Sequence, residues 1–166
     1  EVCNYRLVPE PAASLALPFI SRSLLAYQNL FSQIHDAIRN GSLKERAVIG
    51  SEAAAESMLE FGYSYSGSLG VVLLVQSDRD FFEGRLDRSI EALFQVLDIA
   101  DNDTVKDVAH NLGNAVVKRL YDWSKSNIDG GFSADVRWTR SDGRQLGQLV
   151  ERKQMQTMVD VIGATS

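Results

Sequence analysis

The chain has 166 residues, of which 45% are hydrophobic and 23% charged, so a disordered, collagenous or low-complexity polymer is excluded. That length can bury a core without disulfides or metal, and the single cysteine, Cys3, rules out an internal disulfide and a cysteine-based structural zinc. A formal net charge of -5 argues against wholesale coating of nucleic acid.

In chain order, Cys3–Val8 suits a short strand, and Pro9, Pro11 and Pro18 break regular structure after it. From Pro18, Phe19, Ile20, Leu24, Tyr27, Leu30, Phe31, Ile34 and Ile38 recur at helical spacing, and Asn40-Gly41 stops that helix. Residues 42–56 are ambiguous; Glu52–Glu56 reads as a helical turn or a loop. The period then becomes two. Leu59, Phe61, Tyr63 and Tyr65 alternate with polar or small residues, and Leu69–Val75 is almost wholly apolar. This predicts a hairpin with its turn at Ser66-Gly67-Ser68 and its second strand inside the sheet.

Asp78 or Asp80 then caps a helix through Phe82, Leu86, Ile90, Leu93, Phe94 and Leu97. Thr104 with Asp107 resembles a capping box for one further helix carrying Val105, Val108, Leu112, Val116, Leu120 and Trp123, which stops at Gly130-Gly131. The short break at Asp101–Asp103 predicts an antiparallel helical hairpin. A second β-hairpin places Ala134, Val136 and Trp138 inward and turns at Ser141-Asp142-Gly143. A last helix from about Glu151 buries Met155, Met158, Val159 and Ile162. The expected fold is one α+β domain over 1–166, an antiparallel or mixed sheet of two hairpins packed against about four helices. The start at Glu1 suits a piece of a longer chain.

No apolar run approaches the roughly 18 residues of a membrane span, and no secretory leader pattern is present. With the lone cysteine, this leads us to expect a cytoplasmic chain. The sequons Asn40-Gly41-Ser42 and Asn102-Asp103-Thr104 read as turns and caps. His35 and His110 have no metal-ligand spacing, and His35, beside the apolar stripe, reads as a partly exposed structural histidine. Asp80, Glu83 and Asp87 share a helical face that suits Mg²⁺, although the interleaved Arg79, Arg85 and Arg88 neutralise it and negative charge also suits a helix start. There is no nucleophile elbow, Walker loop or dinucleotide fingerprint, so no cofactor is expected.

Charge is uneven. Residues 118–153 hold 8 basic and 5 acidic groups, whereas residues 1–83 hold 6 and 10. Arg137, Arg140 and Arg144 gather at the second hairpin near Trp138, a pattern that suits phosphate or a single-stranded base. The broad apolar stripe of the first helix and the adaptable methionines of the last make Tyr27, Phe31, Met155 and Met158 candidates for a protein interface.

The run Tyr65–Leu73, then Asn111-Leu112-Gly113, Leu120-Tyr121 and the Trp-bearing strand Ala134–Trp138 resemble uncharacterised prokaryotic domains that occur in larger proteins, some beside phage-defence genes. The resemblance is one of pattern over residues 57–150, and it implies a recognition or scaffolding part without catalytic residues. The leading expectation is therefore a non-catalytic interaction, sensor or scaffold module that self-associates or binds a protein partner. The alternatives are a small metal-dependent enzyme acting on phosphoesters and a nucleic-acid or nucleotide binder using the basic hairpin.

Overall fold

A computed structural model describes the backbone of residues 1–11, 13–41, 43–65, 69–75 and 79–165, and their side chains except at 63–65, 69, 75, 79–84 and 165. The elements in order are β1 (Val2–Pro9), α1 (Leu17–Asn40), α2 (Ser51–Glu56), β2 (Leu59–Tyr65), β3 (Leu69–Val75), α3 (Arg79–Val96), α4 (Asn102–Leu112), α5 (Asn114–Gly130), β4 (Phe132–Thr139), β5 (Gln145–Val150) and α6 (Arg152–Thr165). The predicted turn at Ser66–Ser68 and the cap at Asp78 lie outside the described residues.

The strands form one sheet of order β2-β3-β1-β4-β5, antiparallel at every pairing. The fold is α+β. β1, the faintest strand signal in the sequence, is the centre: Cys3 pairs with Leu73 on one side and Trp138 on the other. Its alternation separates the two faces. Cys3, Tyr5 and Leu7 are buried against α1 and α5, whereas Val2, Asn4, Arg6 and Val8 are half-buried on the opposite face. β3 lies inside the sheet as its two-sided apolar character requires. In β2 the strict alternation fails, because Phe61 pairs with Leu73 and Tyr63 with the adjacent Val72, leaving Gly62 as a bulge.

α1 starts at Leu17 with Pro18 in its first turn, where a missing N–H costs nothing, and Gly41 closes it in the left-handed conformation at φ 61°. Its apolar stripe faces the core, as the periodicity predicts. Yet every residue from Phe31 to Ala37 is buried, polar ones included. The reason is the segment 43–58, which folds back over the polar side of α1 and includes α2.

Three helical expectations are corrected. The helix expected from Thr104 to Trp123 is broken at Gly113, which adopts φ 94°. A Cβ there would lie 2.8 Å from Lys44 N and 2.9 Å from Lys44 O, and Ala115 N donates to that same carbonyl at 2.9 Å. Close passage of the 43–58 segment therefore sets the break between α4 and α5. The capping box sits three residues earlier than expected: Asp101 is the cap, its side chain accepts from Thr104 N at 2.9 Å, and Thr104 Oγ1 accepts from Asp101 N at 3.1 Å. Nor do α3 and α4 form a tight hairpin; α3 packs chiefly on α1, and α4 on α5.

The core holds two parallel tryptophan–tyrosine links. Trp138 Nε1 donates to Tyr27 Oη at 2.9 Å, with Cys3 Sγ 3.2 Å from the same oxygen. Trp123 Nε1 donates to Tyr5 Oη at 2.8 Å, that hydroxyl donates to Ser23 Oγ at 2.6 Å, and Ser23 donates to Asn127 Oδ1 at 2.6 Å. Every group is fully buried, so the chain of donors satisfies polar atoms that would otherwise be stranded. Burial pushes the Cys3 thiol and the Tyr5 hydroxyl up to about 12, and Tyr27 well above its ordinary value.

Candidate functional site

The four candidate interface residues are corrected first. Tyr27, Phe31, Met155 and Met158 are all core residues with at most 1% exposure. Tyr27 is held by Trp138, the Phe31 ring lies 5.3 Å from the Trp138 ring, and Ser124 Oγ reaches Met158 Sδ at 3.6 Å. Core filling uses their whole surface and leaves none for a partner.

The metal and phosphate candidates meet each other. Arg140 is buried and its guanidinium is bonded to Asp87, with Glu1 at 3.8 Å and Glu91 at 3.9 Å. The turn Ser141–Gly143 brings Arg144 O back onto Arg140 N at 2.8 Å, which directs the Arg140 side chain toward α3. Arg140 is thus not a free phosphate contact, and Asp87 is engaged by a cation. Asp80 and Glu83 lie on α3, but their side chains are outside the described residues. Among the described residues no group of three metal-ligating side chains converges. Arg137 and Arg144 are exposed, each beside its own carboxylate: Arg137 Nε is 3.2 Å from Asp135 and Arg144 Nε is 2.7 Å from Asp142. Backbone donation from Arg144, followed by its side-chain bond, holds the Asp142 carboxyl below its usual range.

The constellation that sequence reasoning missed surrounds His35. It is fully buried, not partly exposed, between α1, α2 and α3. Its Nε2 is 2.9 Å from Glu56 Oε1, and its Nδ1 is 2.8 Å from Ser89 Oγ. Glu56 is also bonded by Arg39 Nε at 2.7 Å, and Arg39 is bonded to Glu52. Burial drives the His35 pKa below its ordinary value and outweighs the opposing pull of Glu56. Burial acts to raise Glu56, but hydrogen bonds from His35 and Arg39 prevail and hold it low. Neutral His35 therefore carries its proton on Nε2, facing a carboxylate that can only accept, and Nδ1 accepts from Ser89.

Hydroxyl, imidazole and carboxylate in this order have the connectivity of an acyl-transfer triad. Here, however, Ser89 and His35 are 0% exposed and the Glu56 side chain 8%, so no substrate reaches the hydroxyl. Ser89 Oγ also lies 2.9 Å from Arg85 O, one turn back on α3. Its single proton serves His35 Nδ1 when the ring is neutral and Arg85 O when the ring is charged. The cluster is thus satisfied in either protonation state.

The same polar side of α1 clamps the rest of the 43–58 segment. Asp36 pairs with Lys44 at 2.9 Å and accepts from Gly50 N at 3.0 Å. Gln33 donates to Val48 O at 3.0 Å and Ser32 lies 2.7 Å from Ser57 Oγ, while Arg119 of α5 adds a bond to Ala47 O at 2.9 Å. Ala53 is this segment's one fully buried apolar side chain among the described residues. The only trace of this cluster in sequence was the density of polar groups in Ser32, Gln33, His35, Asp36 and Arg39 opposite the apolar stripe.

The outer face of the sheet offers accessible chemistry. At its centre Asp135 lies between Arg6, at 3.6 Å, and Arg137, which extends across Gly147. Arg6 Nε is buried without a hydrogen-bond acceptor. Leu74 and Leu149 are exposed on the same face, and Glu60, opposite Leu74 on β2, is exposed as well. No helix of the described residues is long and apolar enough to cross a membrane. Comparisons with family models, curated proteins and solved structures found no match to this chain.

Proposed function

We propose that this chain is a non-catalytic protein-interaction module that self-associates through the outer face of its sheet. One observation carries the reading: this face joins exposed leucines to a charged centre, Arg6–Asp135–Arg137. Apolar residues around a small set of oriented charges are the composition of a docking surface. A second copy suits it because the charges are distributed unequally across the strands. Glu60 lies at the β2 side and the Arg137 guanidinium over β5. A two-fold axis along the strands lays β2 of one copy over β5 of the other and brings opposite charges together. Inaccessibility of the Ser89–His35–Glu56 set adds support, since the nearest likeness to a catalytic group here is sealed.

The test is light scattering coupled to size exclusion, at two concentrations and two salt levels. A dimer that Leu149→Asp or Arg137→Glu converts to monomer is expected, with Glu60→Arg restoring association to Arg137→Glu. A wild-type monomer under all four conditions overturns the reading.

A further inference from the structure

We infer that the cleft between α4, α5 and α6 is a binding site for a small anionic amphiphile, a carboxylate carried on an apolar body. This site is on the helical side of the fold and is independent of docking through the sheet. α4 and α5 diverge from the break at Gly113, and α6 packs against α5, so the three helices meet around a trough of about 610 Å³. That volume lies within the range of small-molecule sites. Val105 and Ala109 lie one turn apart on α4, and Val117 and Tyr121 one turn apart on α5, so each helix turns an apolar strip to the trough. Ile162 of α6 completes the lining, and Gly163 beside it leaves open space where a side chain would stand.

The rim is cationic. Lys106 comes from the α4 wall and Lys118 from the α5 wall. Among the described residues Lys106 makes no ion pair and Lys118 pairs only with Asp122, at 3.9 Å, both side chains exposed. Such a pair holds its lysine weakly, leaving it available to a ligand. The one acidic rim group, Glu45, already accepts from Asn114 Nδ2 at 2.7 Å. An apolar lining rejects a bare polyanion, which would lose hydration without partners, and two lysines at the mouth favour an anion over a neutral lipid. A ligand with one anionic head and an apolar body satisfies both parts of the site.

Dodecanoate, titrated by calorimetry and followed by thermal unfolding, is the probe, with dodecyltrimethylammonium as the same tail bearing the opposite charge. The expected result is saturable binding of dodecanoate with a rise in Tm. Lys106→Gln with Lys118→Gln is expected to weaken binding about five- to tenfold, in line with two solvent-exposed charge contacts. Ala109→Trp, which fills the trough and leaves the charges in place, is expected to abolish it while urea unfolding stays cooperative. Equal binding of the cationic amphiphile, non-saturable destabilisation by both, or an unchanged affinity in the double glutamine variant overturns the assignment.

Discussion

Arg140 and Asp87 are bonded to each other, 53 positions apart in the chain, and the bond links the turn between β4 and β5 to α3. Arg140 is buried, while Asp87 and Glu91 keep part of their exposure. Removing the guanidinium therefore lets Asp87 and Glu91 rehydrate, while Glu1, whose side chain is 6% exposed, loses its contact with Arg140. Arg140→Ala is expected to cost about 1–3 kcal/mol, below the loss for a wholly buried pair. Urea unfolding measures this. Asp87→Asn in the Arg140→Ala background should then add little, because the pair acts as a unit.

Stability should depend on pH through His35 and Glu56. Both have folded pKa values below their ordinary values of 6.5 and 4.5. Each contribution is complete above the ordinary value and is lost as pH falls through the folded one. The unfolding free energy should thus decline from about pH 6.5 downward, with a second decline below about pH 4.5. His35→Gln should remove the first arm and retain the second. The groups facing the ring are Glu56, Arg39 and Arg85, and the two arginines add to the cost of charging it. Urea unfolding of wild type and variant at pH 7, 5 and 4 distinguishes the arms; equal slopes in both proteins would remove His35 as the source.

Each tyrosine hydroxyl has two partners, but the second partner of Tyr27 is only the weakly bonding Cys3 thiol, whereas that of Tyr5 is Ser23, which leads on to Asn127. Tyr27→Phe strands the Trp138 N–H, at about 1–3 kcal/mol. Tyr5→Phe strands the Trp123 N–H and also breaks the relay to Ser23 and Asn127, whose Nδ2 already lacks a partner. It is expected to be the more costly of the two by chemical denaturation. Cys3, buried beside Tyr27 with its thiol pushed up to about 12, should react with a thiol reagent only as fast as the protein opens.

Gly113→Ala is expected to destabilise by about 1–3 kcal/mol, since its positive φ and the Lys44 backbone both oppose a Cβ. Gly163→Ala, in α6 with open space around it, should be neutral or stabilising. Thermal unfolding of the two variants side by side checks the contrast.

Much of the architecture is legible without coordinates. The stripe of α1, the inward set Ala134, Val136 and Trp138, the turn at Asp142-Gly143 and the buried methionines of α6 all follow from local period and turn chemistry. The candidate sites were less legible. Arg140 and Arg144 are the same residue type and flank the same turn, and only the path of the turn directs one inward and the other to solvent. Met155 and Met158 look alike whether they meet a partner or their own core.

The sequence by itself determined the α+β class, the two hairpins and which faces of the long helices are apolar, because these depend on spacing over a few residues. The tertiary structure decided that β1 is central, that Gly113 divides α4 from α5, and that His35, Glu56 and Ser89 form one cluster. Each of those outcomes depends on segments tens of residues apart lying against one another. A polar side chain's sequence context is the same in water and in the interior; what distinguishes the two is the partner that the fold delivers.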